Sequence, residues 1–272
     1  MSQDRVTITV TEHVADVRLV RTDKRNALDA AMFTALAEAG ETVKKTPGVR
    51  AVVISGDGQS FCAGLDFEMI AALASGQAAK ETPDAGTIMD TSDRITHLGQ
   101  QVAWVWQEVP VPVIAAVHGH ALGGGIQLAL GADIRFVHPD TQLSVREVHW
   151  GLVPDMTGTF MLAQVVGADV AKELVFTARM FDGREAYRLG VATHLTEQPY
   201  DDAMALAREI AGRNPDAVRA AKALMNGMLN TGAAQQFAAE RRSISSLIGT
   251  PNQAEAVVSN LEKRPGRFVD PA

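Results

Sequence analysis

Two short apolar runs divide the first half of the chain, and each is rich in β-branched residues and closed by glycine. They occupy residues 51–56 and 113–119. Such runs are typical of buried strands. Small residues follow each run, at 60–66 and 119–125, and an apolar helical pattern begins directly after the second glycine-rich stretch. The unpaired N–H groups at the start of that helix are expected to face a cleft between the two loops.

Alternating positions open the chain and predict a β-hairpin. Val6, Ile8 and Val10 alternate with polar residues, and apolar character returns at 14–20. A helical pattern follows, with Asn26 and Asp29 as candidate caps. Strand and helix patterns then alternate to about residue 195, which predicts an α/β fold with a mostly parallel sheet.

Strand patterns end near residue 198, and helical patterns take over at 201–212, 215–229, 233–248 and 253–261. These helices cannot all bury their apolar faces against one another. The sequence therefore predicts a core domain at 1–198 and a C-terminal helical region at 199–272. Residues 74–91 are rich in Ala, Gly, Ser and Thr and are the best candidate for a loop that covers the cleft.

Composition limits the classes of partner. Hydrophobic residues make up 46% of the chain and charged residues 21%, as in a soluble globular protein. A net charge of -7 argues against a general nucleic-acid surface. The single cysteine, Cys62, cannot form an internal disulfide, and no Cys/His spacing is typical of a metal site. With no signal core and no membrane-length apolar stretch, the chain is expected to be cytoplasmic and independent of membranes.

The two small-residue loops suggest a specific chemistry. If the N–H groups of Ala63 and Gly124 converge, they can hold one oxygen on which negative charge develops, and such a donor contributes about 3 kcal/mol. The alternative is that the glycines only permit tight turns and close packing.

Several motifs in order along the chain resemble those of the crotonase family, also called the enoyl-CoA hydratase/isomerase superfamily. The resemblance runs from end to end and is carried by residues 24–28, 61–66, 119–125, 132–134, 147–155, 183–192 and 262–268. It implies a crotonase-like α/β spiral of ββα turns, with a C-terminal helical region that packs in homotrimers or dimers of trimers. It also implies an acyl-CoA thioester substrate whose carbonyl oxygen lies on the amides of Ala63 and Gly124. No separate cofactor is implied, because CoA is part of the substrate.

The resemblance places Glu147 at the family's second acidic position, where it would be the general acid/base. A carboxyl group that faces an apolar acyl pocket has a raised pKa, as proton transfer near neutral pH requires. The alternative for this residue is a surface glutamate paired with Arg146 or Lys172.

The chain departs from the hydratase pattern at Gln127, where hydratases of this family carry glutamate. A carboxamide cannot accept the proton, although it can hydrogen-bond a water or a substrate group. Its alternative role is to satisfy nearby backbone. Asp155, eight residues after Glu147, matches a second acid of dienoyl-CoA isomerases, and its alternative role is to cap the helix that follows.

The resemblance also implies a set of residues that bind the CoA part of the substrate. They are Lys24, Arg25, Ala27, Gly64, Leu65, Asp66, Lys263 and Phe268, and the last two would approach the nucleotide from the C-terminal helix, either of the same subunit or of a neighbouring one. The function predicted from the sequence is double-bond isomerisation of an enoyl-CoA with Glu147 as the base. The alternatives are an enoyl-CoA hydratase in which Gln127 orients water, and an acyl-CoA-binding protein with little turnover.

Overall fold

The computed structural model describes residues 5–74, 91, 94–228 and 232–271. The strands are β1 Val6–Thr11, β2 Val14–Leu19, β3 Ala51–Gly56, β4 Val113–Val117, β5 His120–Leu122, β6 Ile134–Val137, β7 Gln142–Ser144, β8 Phe181–Asp182 and β9 His194–Leu195. The α-helices are α1 Ala30–Lys45, α2 Phe67–Ala74, α3 Leu98–Glu108, α4 Gly124–Leu130, α5 Gly158–Val166, α6 Ala168–Thr177, α7 Gly183–Leu189, α8 Pro199–Ala211, α9 Pro215–Gly227, α10 Ala233–Leu247 and α11 Pro251–Leu261. The predicted covering loop falls largely at 75–90, outside the described residues.

The chain begins with the predicted hairpin, in which β1 and β2 pair antiparallel. Glu12 and His13 form its turn, both with positive φ, as two-residue turns that match the strand twist require. Asp29 caps α1 by accepting a hydrogen bond from the Met32 N–H at 2.8 Å. The prediction of Asn26 as a second cap is wrong, because its side chain donates instead to the carbonyl groups of Asp57 and Ser60.

The central sheet has six strands in the order β1-β2-β3-β4-β6-β9. All neighbouring pairs from β2 to β9 are parallel, so the prediction of a mostly parallel sheet is confirmed. A smaller sheet, β5-β7-β8, lies beside it. The carboxyl ends of β3 and β4 lead into the two small-residue loops, which places both loops at the same edge of the sheet.

Helices cover both faces of the central sheet. On one face the side chains of α1 and α3 join the larger core, which includes Phe33, Leu36 and Trp106. On the other face α8 packs Ala203 and Met204 against strand residues of a second core. The core therefore continues beyond the predicted domain boundary at residue 198/199, because α8 buries its apolar side on the sheet.

The remaining C-terminal helices begin and end close to their predicted positions. Lys222 of α9 anchors this region to the core through an ion pair with Asp133, at 2.7 Å. Within the described ranges, no helix combines the length and the apolar character that a membrane crossing needs.

Candidate active site

The two small-residue loops run side by side at the carboxyl edge of the central sheet. Cys62 forms a parallel bridge with Ala121. The Cys62 N–H donates to the His120 carbonyl at 2.9 Å, and the Leu122 N–H donates back to the Cys62 carbonyl at 3.2 Å. These bonds fix the first loop against the segment that enters α4.

Two glycines make this close approach possible. A β-carbon at Gly64, whose φ is +88°, would lie 2.5 Å from the Leu122 carbonyl oxygen. A β-carbon at Gly125 would lie 2.2 Å from the carbonyl oxygen of Cys62. Any larger residue at either position would push the loops apart, so the alternative that glycines serve packing is correct for these two.

The amide of Ala63 is not free, because its N–H donates to the Arg25 carbonyl at 3.0 Å. The prediction of Ala63 as an oxygen-binding donor is therefore wrong. Two residues after Ala63, Leu65 forms a parallel bridge with Leu28. The Leu28 N–H donates to the Gly64 carbonyl at 2.8 Å, and the Leu28 carbonyl accepts from the Asp66 N–H at 3.0 Å. In such a parallel bridge the amide of the central residue, Leu65, points away from the partner strand.

The amide of Leu65 has no acceptor among the described residues. Gly124 is the first residue of α4, where an N–H has no acceptor within the helix. Leu65 follows Gly64, and Gly64 lies against Leu122 and Gly123. The pair of donors that the site offers is consequently Leu65 and Gly124. The sequence placed Leu65 among the CoA-binding residues and not among the donors, because only the long-range bridge to Leu28 reveals which amides of the loop are occupied.

Glu147 lies in a short 3₁₀ turn, Glu147–Trp150, that follows β7. Its side chain is buried, at 9% exposure, so the surface alternative is wrong. A β-carbon at Gly123 would lie 3.1 Å from Glu147 Oε1, which places the carboxyl group beside the turn that presents Gly124. Glu147 Oε2 is buried and has no hydrogen-bond partner in the described part of the chain.

Gln127 holds the other oxygen of Glu147. Its Nε2 donates to Glu147 Oε1 at 2.5 Å, and its Oε1 accepts the N–H groups of Met156 and Gly158, both at 2.9 Å. Two donors occupy the two lone pairs of this carbonyl, so Gln127 cannot accept a hydrogen bond from water. The backbone role predicted as the alternative for Gln127 is present.

The arrangement also decides which oxygen of Glu147 carries a proton. Oε1 faces an N–H donor, so a proton bound to the carboxyl group must sit on Oε2. Burial raises the pKa of Glu147, and the negative charge of Asp155 raises it further. The backbone N–H of Glu147 itself and, to a smaller extent, the hydrogen bond from Gln127 oppose these effects only in part. The site therefore contains one buried carboxyl group with one unshared oxygen.

Asp155 is exposed, and its carboxylate acts on Glu147 through its charge. The helix-capping alternative for Asp155 is wrong, since α5 begins behind Thr157, and no side chain caps its first turn. The thiol of Cys62 is completely buried, and burial raises its pKa to about 12. Cys62 is thus not a nucleophile at neutral pH.

Several of the predicted CoA-binding residues adjoin the loops. The side chains of Lys24 and Arg25 are exposed beside the first loop, and Ala27 is buried behind it. Asp66 is already engaged, because it pairs with Arg21 at 2.6 Å and accepts the Glu68 N–H at 2.9 Å. These contacts lower the pKa of Asp66 against the effect of its burial. The Asp66 carboxylate accepts a hydrogen bond from the first turn of α2 and pairs with Arg21, so it is not free for a ligand.

The C-terminal residues lie elsewhere in the protomer. The carbonyl of Phe268 accepts a hydrogen bond from Arg50 at 2.9 Å, and Arg50 directly precedes β3, at the edge of the sheet opposite the site. Lys263 is exposed just beyond α11. The protomer does not bring Phe268 to its own candidate site, so this part of the prediction applies only to contacts between subunits.

No cluster of three or more His, Cys, Asp or Glu side chains in the described ranges is arranged to hold a metal ion.

Comparison with known proteins agrees with this fold. The model of the enoyl-CoA hydratase/isomerase family matches residues 9–271. The chain therefore belongs to the enoyl-CoA hydratase/isomerase family, within the crotonase superfamily. The fold predicted from the sequence is confirmed.

Individual relatives are named as hydratases. The chain is 32% identical over 251 residues to human mitochondrial methylglutaconyl-CoA hydratase, covering 90% of this chain and 70% of the relative. It is 29% identical to crotonyl-CoA hydratase of Syntrophomonas wolfei, covering 99% of both proteins. The crystal structure of an enoyl-CoA hydratase from Polaromonas sp. JS666 superposes with a TM-score of 0.85 at 26% identity, covering 97% of this chain and 99% of that one.

Proposed function

We propose that this protein isomerises the double bond of an unsaturated acyl-CoA thioester, with Glu147 as the only proton carrier. The observation that carries the proposal is the asymmetric carboxyl group, in which Gln127 occupies Oε1 and Oε2 alone is unshared. A shift of a double bond needs one group that removes a proton and returns it, and it needs no second acid.

In the proposed reaction the thioester oxygen accepts hydrogen bonds from the N–H groups of Leu65 and Gly124. Ionised Glu147 takes a proton from C2 of a 3-enoyl-CoA, and the electron pair of the broken C2–H bond moves toward the carbonyl oxygen. The dienolate that forms places its negative charge between the two donors, which stabilise it more than they stabilise the substrate. Glu147 then delivers the same proton to C4, so the double bond moves from C3–C4 to C2–C3 without any redox change.

Conversion of a 3-enoyl-CoA to the conjugated 2-enoyl-CoA tests the proposal, because the product absorbs where the substrate does not. We expect turnover by the native protein and a loss of at least about a thousandfold in Glu147→Gln, which cannot take the proton. Glu209→Gln is the matched control, since Glu209 is exposed on α8 and contacts Arg213 instead of the site. A native protein that leaves the substrate unchanged, or a fully active Glu147→Gln, would refute isomerisation.

Hydration is the second candidate, because relatives at 29–32% identity are named methylglutaconyl-CoA hydratase and crotonyl-CoA hydratase. In this chain Gln127 has no lone pair left for water, so Glu147 would have to perform both proton transfers. Incubation with crotonyl-CoA separates the candidates, since hydration removes the conjugated absorbance that isomerisation creates. Binding of these thioesters without any turnover would instead indicate an acyl-CoA-binding protein.

A further inference from the structure

Thr157 adopts a backbone conformation that a threonine rarely takes. Its φ is 67° and its ψ is 1°, in the left-handed region, at the position just before α5. A β-branched residue remains there only when its surroundings hold it, and glycine would take the same conformation without strain. The presence of threonine at this position therefore calls for a reason.

The hydroxyl of Thr157 makes no hydrogen bond in the described part of the protomer. Its Oγ1 is buried and has no hydrogen-bond partner among the described residues, and it does not cap α5. Buried hydroxyl groups in proteins are almost always paired, so each exception needs an explanation.

Thr157 lies between two residues that build the candidate active site. The N–H groups of its neighbours, Met156 and Gly158, hold Oε1 of Gln127, whose other end holds Glu147. The Met156 sulfur would lie 2.9 Å from a β-carbon at Gly124, one of the two proposed oxygen-binding residues. The turn that carries Thr157 thus borders the place where the acyl group would react.

A second buried oxygen without a partner belongs to the same site, namely Oε2 of Glu147, on a side chain that is 9% exposed. The carboxyl groups of Glu147 and Asp155 make this region unfavourable for an anion. A neutral hydroxyl fits both oxygens, because it can donate one hydrogen bond and accept another.

We infer that Thr157 is a specificity-determining residue whose hydroxyl binds a neutral hydroxyl group on the acyl part of a CoA thioester, next to Oε2 of Glu147. This inference rests on the proposed function in taking an acyl-CoA as the ligand. Both oxygens are shielded from solvent and have no hydrogen-bond partner among the described residues.

Binding of matched thioesters tests the inference. One pair is 4-hydroxybutanoyl-CoA and pentanoyl-CoA, and the other is 3-hydroxybutanoyl-CoA and 3-methylbutanoyl-CoA, so that in each pair a hydroxyl replaces a methyl group. Dissociation constants come from equilibrium dialysis with mass-spectrometric measurement of the intact thioester. We expect the native protein to prefer the hydroxylated member of at least one pair by about tenfold, the size of one additional hydrogen bond.

Variants at the same position identify the group responsible. Thr157→Val keeps the shape but removes the hydroxyl, and we expect it to abolish the preference, whereas Thr157→Ser should retain it. Thr157→Gly should also lose the preference, with a melting temperature no lower than that of the native protein because strain is relieved. A preference that survives in Thr157→Val, or no preference in the native protein for either pair, would overturn the inference. A purely structural role would lower the melting temperature of Thr157→Val and leave the preference unchanged.

The outcome is separable from that of the proposed function. Turnover of an unsubstituted 3-enoyl-CoA tests isomerisation, while the binding preference requires no reaction. Absence of turnover together with a binding preference would refute the reaction but not the role of Thr157. Turnover without a binding preference would refute the role of Thr157 but not the reaction.

Discussion

The two oxygens of Glu147 have different surroundings, and this difference determines what the residue can do. Oε1 receives a hydrogen bond from Gln127, and Oε2 receives none from the described residues. Gln127 in turn is held by two backbone N–H groups, at Met156 and Gly158. A single carboxamide therefore orients the acid and ties it to the start of α5.

The first prediction concerns the pH dependence of activity. Proton abstraction requires ionised Glu147, and burial raises its pKa above the ordinary 4.5. Activity should therefore fall as the pH is lowered through a value above 4.5, since the protonated form cannot act as the base. The pH profile of kcat/KM for a 3-enoyl-CoA reports this pKa in the free enzyme. A profile that stays flat down to pH 4.5 would contradict the assignment.

The second prediction concerns Gln127. Gln127→Ala leaves the N–H groups of Met156 and Gly158 buried without an acceptor, which should lower the free energy of unfolding by about 3 kcal/mol. Chemical denaturation measures the change. Gln107→Ala is the control, because Gln107 donates one hydrogen bond, to the Gly131 carbonyl at 2.8 Å, and its loss should cost about 1 kcal/mol. Equal effects of the two substitutions would show that the hydrogen bonds from Met156 and Gly158 to Gln127 do not stabilise the fold as proposed.

At the scale of residues, the sequence predicted the acid but not all of its surroundings. The sequence singled out Glu147 and Gly124 because they lie in motifs at fixed spacing. Leu65 was missed as a donor in favour of Ala63, because the acceptor of the Ala63 N–H is the carbonyl of Arg25, far away along the chain. Thr157 carries no motif, and only its backbone angles and its unpaired hydroxyl draw attention to it.

At the scale of elements, most helices and strands lie where the alternation of apolar and polar positions placed them. The fully buried strands β3 and β4 were evident from their continuous apolar runs. The position of α8 was not evident, because an amphipathic helix does not reveal whether it covers a sheet or another subunit. The structure shows that it covers the sheet.

The third prediction concerns the attachment of α9 to the core. The ammonium group of Lys222 is buried, and it contacts the carboxylate of Asp133 at 2.7 Å and the Trp106 and Val111 carbonyls at 2.9 and 3.0 Å. Lys222→Met removes the cation from a carboxylate that keeps the Val113 N–H, at 2.7 Å, and should lower the free energy of unfolding by about 3 kcal/mol.

Denaturation of Lys222→Met alongside Lys172→Met checks this prediction. Lys172 is exposed on α6, so its substitution should change the free energy of unfolding by no more than about 0.5 kcal/mol. If the two variants were equally stable, α9 would be held by its apolar contacts alone.

At the scale of the whole molecule, the C-terminal helices expose many large apolar side chains. Phe237, Ile244, Ile248 and Leu261 are between 55% and 78% exposed in the protomer. A soluble protein rarely leaves so much apolar surface on one region uncovered. The assembly predicted from the sequence, a homotrimer or a dimer of trimers, would cover it.

The fourth prediction tests that assembly. We expect the native protein to sediment as a trimer or hexamer, and Ile248→Glu combined with Leu261→Glu to shift it toward the monomer, because buried charges oppose association. Glu38→Lys, on the exposed surface of α1 and outside the C-terminal helices, is the control for a change of charge alone. A monomeric native protein would contradict the prediction.

The closed position of Glu147 Oε2 has a consequence for the fate of hydrogen during turnover. A carboxyl oxygen that is buried from solvent should exchange its proton with water only slowly while the intermediate lasts. The hydrogen removed from one carbon of a substrate molecule should therefore reappear on another carbon of that same molecule. Deuterium placed at C2 would then be conserved in the product, even when the solvent is ordinary water.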